Sequence, residues 1–176
     1  MSLNNIDQMN MDQIRESVKS RQSKKRYEHT LGVMYTAAAL AMRYNEDVDK
    51  ALLAGLLHDC AKAFAGDLEH AKLGAQMARE EYGVDDTYIT DAIFYHTTGR
   101  PNMTLLDKII YIADYMEPNR TQAPNLAEIR HLAFVDIDEC LYRILEASLT
   151  YLKSKNVLID PITEETFLYY KKQMNK

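Results

Sequence analysis

Two acids stand in runs that are otherwise apolar: Asp59 in "LLAGLLHDCAK" (residues 52–62) and Asp114 in "IIYIADYMEP" (residues 109–118). A buried carboxylate must be paired, coordinated or neutralised. For Asp114 alone, an ion pair with a lysine or arginine is an equally good account. His29 shares a helical stripe with Val33, Ala37 and Leu40. A single histidine so placed is more often a hydrogen-bonded core residue than a ligand. The combination changes this. Adjacent His58 and Asp59, if helical, project about 100° apart, so a cation over that edge can take an imidazole nitrogen and a carboxylate oxygen. His29 lies one helix earlier and Asp114 two to three helices later. Together His29, His58, Asp59 and Asp114 offer two nitrogens and two carboxylates without a thiolate, a set suited to Fe, Mn, Co or Zn. His70 in "LEHAKLGAQ" and His96 in "FYHTTG" could hold a second metal, with a carboxylate bridging the two, although His70 also reads as a surface residue at a helix start. His131, in "IRHLAF", has no such companions and is read as structural or exposed.

Basic residues accompany these groups. Lys62 follows His58 by four positions and Asp59 by three, which places it on their helix face. It reads as a phosphate clamp, or as a solvated helix-end lysine favoured by the dipole. Arg26 precedes His29 by about a turn, Arg120 follows Asp114 past the "EPN" loop, and Thr97 offers a hydroxyl. The run "KSRQSKKR" (residues 19–26) reads as a solvated face able to steer an anionic substrate. Asp107, two turns before Asp114, is a candidate supporting acid, and Cys60 a packing residue.

The elements that must position these groups are helical. Apolar residues recur at helical spacing over 6–19, 24–44, 48–63, 68–81, 86–96, 104–117, 125–132, 136–153 and 161–173. "TTGRPN" and "EPNRTQAPN" read as loops, Thr104 with Asp107 as a weak capping box, and Asp160-Pro161 as a cap with proline at the first helical position. No strand, repeat or inter-domain linker is evident. The reading is an all-α bundle in one domain, residues 1–176, with the metal site in its helical core.

The bulk properties agree. With 176 residues, 47% apolar and 27% charged, the chain can bury a sizeable core. Only 6 glycines and 4 prolines disfavour a turn-rich β fold. A net charge of −5 argues against a nucleic-acid polymer as partner. No apolar run reaches the roughly 20 residues needed to span a bilayer, and the polar N-terminus lacks a signal-peptide core. Cys60 and Cys140 form no CxxC pair. The expectation is a cytoplasmic protein without a membrane partner, a homodimer being left open.

The ordered set of an early His, a His-Asp doublet and a distant Asp resembles the signature of the HD-domain phosphohydrolase superfamily. The segments "RYEHTLGV", "AGLLHDCAK", "HAKLGA", "YHTTGRPNMTLLDKIIYIADYMEPNR" and "PITEET" are similar to its YqeK-type subfamily, the symmetrical bis(5′-nucleosyl)-tetraphosphatases. The resemblance runs from about residue 24 to beyond 160, with a motif core over about 24–120 followed by C-terminal helices over about 125–173. One departure is Ala71, where that subfamily leads us to expect glycine.

The resemblance implies a dinuclear site that prefers iron, with Mn or Co as substitutes. His29, His58, Asp59 and Asp114 would bind the first metal, and Asp59 would bridge to a second completed by His70 and His96. The implied reaction is symmetrical hydrolysis of diadenosine tetraphosphate to two ADP, by attack of a metal-bound hydroxide on an inner phosphate. Asp59 and Lys62 are the expected catalytic residues. Arg26, Lys62, Thr97 and Arg120 are the expected contacts to a dinucleoside polyphosphate or other nucleotide. Two alternatives stand beside this. One is an HD phosphohydrolase acting on a mononucleotide, a nucleoside triphosphate or an alarmone. The other is a di-iron oxygenase, which the basic residues disfavour. A sensor module fits less well, since sensors usually come fused to an output domain.

Overall fold

The structure is a computed structural model and describes residues 10–174. Among these residues there are helices and no strands: α1 (Met11–Arg21), α2 (Lys24–Tyr44), α3 (Val48–Leu57), α4 (Glu69–Glu80), α5 (Thr87–Phe94), α6 (Leu105–Met116), α7 (Leu126–Leu132), α8 (Ile137–Ser154) and α9 (Pro161–Met174). The expected all-α class is what the chain adopts. The first expected helix began at residue 6, and its first four positions lie outside the described residues.

Side-chain caps set most of the helix starts, because the first backbone N–H groups of a helix have no partner within it. Ser23 accepts from Arg26 N–H at the start of α2, and Asp47 from Lys50 N–H at the start of α3. At α6 the expected capping box forms in full: Thr104 Oγ1 accepts from Asp107 N–H, and Asp107 Oδ2 accepts from Thr104 N–H. The left-handed Asn45, with φ 57°, ends α2.

One boundary differs in a way that matters for the site. The helix expected over 48–63 stops at Leu57, and the chain continues in tight turns: Cys60 N–H donates to Leu57 O, Lys62 N–H to Asp59 O and Phe64 N–H to Ala61 O. His58 caps α3, and Asp59 lies in the turn beyond it. The doublet is therefore not on a helix face, and the 100° argument for it does not apply. The carbonyl of Gly55, which a continued helix would offer to Asp59 N–H, accepts the ring N–H of His58 at 2.7 Å instead.

Helix α6 is the centre of the fold. Leu106, Ile109, Ile110, Ile112 and Ala113 are wholly buried, so the helix is apolar nearly all round, as a helix enclosed by others must be. It packs against α2, α3, α5, α7 and α8. Helices α2 and α3 cross closely at Gly55, where a Cβ would lie 2.8 Å from the Cα of Met34. That approach sets the His29 region of α2 beside the end of α3 that carries the doublet. No described helix is long and apolar enough to cross a membrane.

Candidate metal centre

The ends of α3, α4 and α5 and the inner faces of α2 and α6 bring His29, His58, Asp59, His70, His96 and Asp114 into one cluster. His58, Asp59, His70 and His96 are buried, while His29 and Asp114 are partly open. His70, which also read as a surface residue, is inside.

Each imidazole is oriented from behind. His58 Nδ1–H donates to Gly55 O at 2.7 Å, His70 Nδ1–H to Gly66 O at 3.0 Å and His96 Nδ1–H to Ile93 O at 2.7 Å. His29 Nδ1–H donates to Glu117 Oε1 at 3.1 Å. Occupying Nδ1 in this way fixes the tautomer and leaves each Nε2 lone pair directed inward.

The inward atoms meet the two carboxylates in a definite pattern. Asp59 Oδ1 faces His70 Nε2 at 3.1 Å and His96 Nε2 at 3.6 Å. Asp59 Oδ2 faces His58 Nε2 at 3.6 Å and His29 Nε2 at 3.8 Å. Asp114 Oδ1 lies 3.2 Å from His29 Nε2 and 3.9 Å from His58 Nε2. Asp59 thus divides its two oxygens between two pairs of histidines.

The cluster fits metal ions. His58 Nε2 is buried and has no hydrogen-bond partner, a costly state for a lone pair unless a cation takes it up. The Nε2 atoms of His70 and His96 lie only 3.2 Å apart; with both Nδ1 atoms protonated, two lone pairs face each other. Separations of 3.1–3.9 Å suit donor atoms that share a cation at about 2.0–2.2 Å. Two overlapping triads, His29–His58–Asp114 and His58–Asp59–His96, bring ligand atoms within 4.8 Å of one another and could each hold a metal ion.

The electrostatics follow. Burial would raise the Asp59 carboxyl, but the histidines around it, His58 first and then His70 and His96, outweigh that and hold it well below the usual carboxylate range. Burial would likewise raise Asp114, but its neighbours His29, His58 and His96 outweigh that and lower it. Burial dominates at His58 and pushes it down to about 4, so this imidazole is neutral at pH 7. Burial opposes protonation of His29 and His96 too, but Asp114 and Glu117 raise the first, and Asp59 and Asp114 the second.

Arg26 donates to Asp59 Oδ2 at 2.8 Å, and Arg120 to Asp114 Oδ1 at 3.1 Å. Thr97 lines the same opening, its hydroxyl buried and without a hydrogen-bond partner. Lys62 lies in the turn and not on the expected helix face. Its Nζ donates to Asp67 at 2.7 Å and stands 3.3 Å from His70 Nδ1. Asp107 caps α6 and pairs with Arg100 at 2.8 Å, so it belongs to the "TTGRPN" loop and not to the cluster. His131 is exposed, as expected. Cys60 packs beneath the site, its thiol pushed up to about 12 by burial and too protonated to act as a nucleophile.

Two residues that the sequence reading passed over complete the arrangement. Glu117 is buried and holds His29, and Gly32 on α2 makes room for it: a Cβ there would overlap the Glu117 carboxylate. Arg130 donates to the carbonyls of Met116, Glu117 and Arg120 at 2.8–2.9 Å, fastening the loop that carries Glu117 and Arg120. An acid on the last turn before "PNR" was the one available signal for Glu117.

An all-α core with a His/Asp cluster able to hold a metal defines a class of protein that known families can be compared with. The family model described as "HD domain" matches residues 26–119, and the chain belongs to that family. It is 39% identical to the "Bis(5'-nucleosyl)-tetraphosphatase, symmetrical" of Bacillus subtilis (strain 168), over 92% of this chain and 96% of that one. It is 41% identical to the protein of the same name from Halalkalibacterium halodurans, over 90% of this chain and 96% of that one. Among solved structures it matches a "predicted HD superfamily hydrolase involved in NAD metabolism" from Clostridium acetobutylicum, with a TM-score of 0.88 and 36% identity, over 94% of this chain and 98% of that one.

Proposed function

We propose that this protein is a metal-dependent phosphohydrolase that cleaves diadenosine tetraphosphate symmetrically into two ADP. The observation that carries the reading is the convergence of four imidazole Nε2 atoms on Asp59 and Asp114, with Asp59 offering one oxygen to each histidine pair. Relatives covering nine-tenths of the chain bear the name of that activity. In this reading His29, His58 and Asp114 hold one ion, His70 and His96 hold a second, and Asp59 lies between them. The centre is dinuclear, with iron as the native metal and Mn or Co as substitutes.

Such ions, when bound, lower the pKa of a coordinated water and take up phosphate charge. The chain's own groups supply the rest. Arg26 and Arg120 stand beside the two carboxylates at the opening, where their charge serves the phosphates. The Thr97 hydroxyl is free to donate. Lys62 adds a cation at the opening, released from Asp67, which is almost fully exposed. Water attacks an inner phosphorus, the bridging P–O bond breaks, and the leaving group is a nucleoside diphosphate that these cations neutralise. No protein nucleophile is required, in keeping with the protonated Cys60. We place the protein in the cytoplasm, in keeping with its free buried cysteines.

The test is a product assay. The reduced protein is supplied with ferrous or manganous ion and diadenosine tetraphosphate, and the nucleotides are resolved by ion exchange. ADP as sole product is expected, and Asp59→Ala should abolish it. ATP plus AMP would mean that a different phosphorus is attacked. No turnover with metal demonstrably bound would sink the tetraphosphatase reading.

A further inference from the structure

The cluster opens into a groove of about 980 Å³ whose far wall does not serve the cluster. That wall comes from the last turns of α8 and the connector to α9: Tyr151, Leu152, Lys155 and Leu158, with Tyr115 of α6 beside Asp114. Tyr151 is 59% exposed and Leu158 89% exposed. Isolated exposed apolar side chains are ordinary. These two line the same groove as the cluster, with a lysine at the rim.

A second chamber of about 600 Å³ lies on the other side of Arg26 and Arg120, which line both spaces. Its remaining wall is polar, including Ser23, Lys25, Glu28, Asn119 and Thr121. The two arginines therefore stand between a groove whose far wall is apolar and aromatic and a chamber with a polar lining.

We propose that Tyr151, Leu152 and Leu158 form the seat of one nucleoside of the substrate. A purine base packs on their apolar and aromatic surface, and its phosphates run past Lys155 and Arg120 toward the cluster. The other half of the molecule lies in the polar chamber, held through its phosphates and without a stacking partner. A substrate with two like ends thus meets two unlike walls, and only one base is recognised. This rests on the nucleotide-hydrolase reading above and adds to it the surface that recognises the base.

The experiment compares equilibrium binding of ADP and of inorganic pyrophosphate to the manganese-loaded protein, in the natural sequence and in a Tyr151→Ala, Leu158→Ser double variant. Both side chains are exposed, so the fold does not depend on them, and metal content is measured in parallel. Base packing on an aromatic surface contributes about 1–3 kcal/mol, so ADP should bind roughly five- to a hundredfold more weakly to the variant. Pyrophosphate binding should stay within about twofold of the natural protein. Unchanged ADP affinity would overturn the proposal, and so would an equal loss for both ligands. Neither measurement needs turnover, so a protein that fails to convert diadenosine tetraphosphate to ADP yet shows this ADP-specific loss refutes the activity and leaves the base seat standing.

Discussion

Glu117 acts on the cluster through His29. Its carboxylate accepts the Nδ1–H, which directs the Nε2 lone pair toward Asp114 and Asp59. Partners of this kind, one bond behind a metal-binding imidazole, typically account for 10- to 100-fold in metal affinity. Glu117→Gln keeps the shape and an acceptor oxygen but loses the charge. The expected outcome is metal binding weaker by roughly ten- to a hundredfold, read as metal content after dialysis against a graded chelator, with an unchanged circular dichroism spectrum. Equal metal retention by the variant would show that Glu117 only fills space. Sequence alone could not single it out. His29 and Glu117 are 88 positions apart, and an acid next to a proline-containing loop looks like a solvated turn residue. Packing against Gly32 of α2, which brings it under His29, is a tertiary contact that no local pattern announces. The two acids of the cluster were legible for the opposite reason: Asp59 and Asp114 interrupt runs too apolar to be surface.

At the level of elements, the crossing of α2 and α3 decides whether His29 and His58 can share a cation. Gly55 permits the approach, since an added Cβ would meet backbone and not a yielding side-chain tip. Gly55→Ala must push the helices apart or strain one of them, at about 1–3 kcal/mol. The expected result is a lower urea midpoint with the slope unchanged, together with reduced metal content in the folded protein. A variant with unaltered midpoint and metal content would mean that the helices yield there at little cost. Helix order and most boundaries were legible because caps and 3.6-residue periodicity are local signals, as at the Thr104–Asp107 box. The end of α3 was not. The run from Leu52 to Lys62 keeps helical apolar spacing, and nothing local announces that a histidine ring will take the Gly55 carbonyl. Arg130 was hidden likewise, because its three carbonyl acceptors belong to the end of α6 and the loop after it, which only the tertiary fold brings to α7.

Across the whole molecule, the cluster sits where α2, α3 and α6 meet, so whatever binds there ties together the helices that make the core. A buried imidazole nitrogen without a partner at His58, and the Nε2 atoms of His70 and His96 facing each other at 3.2 Å, are expensive features for the protein alone. A ligand that binds only the folded chain stabilises it by RT ln(1 + [L]/Kd), about 2.7 kcal/mol at a hundredfold excess over Kd. For a chain of this length each kcal/mol moves the midpoint by roughly 2–4 °C. Chelation should therefore lower the thermal midpoint by about 5–10 °C, and manganous or ferrous ion should restore it in a concentration-dependent way. Asp59→Ala separates this from general ion effects. It removes the carboxylate shared by both histidine pairs, so its midpoint should no longer respond to added metal. A midpoint indifferent to chelator in the natural protein would mean that the histidines and acids are held together by their own hydrogen bonds and charges, and the metal reading of the cluster would fall with it.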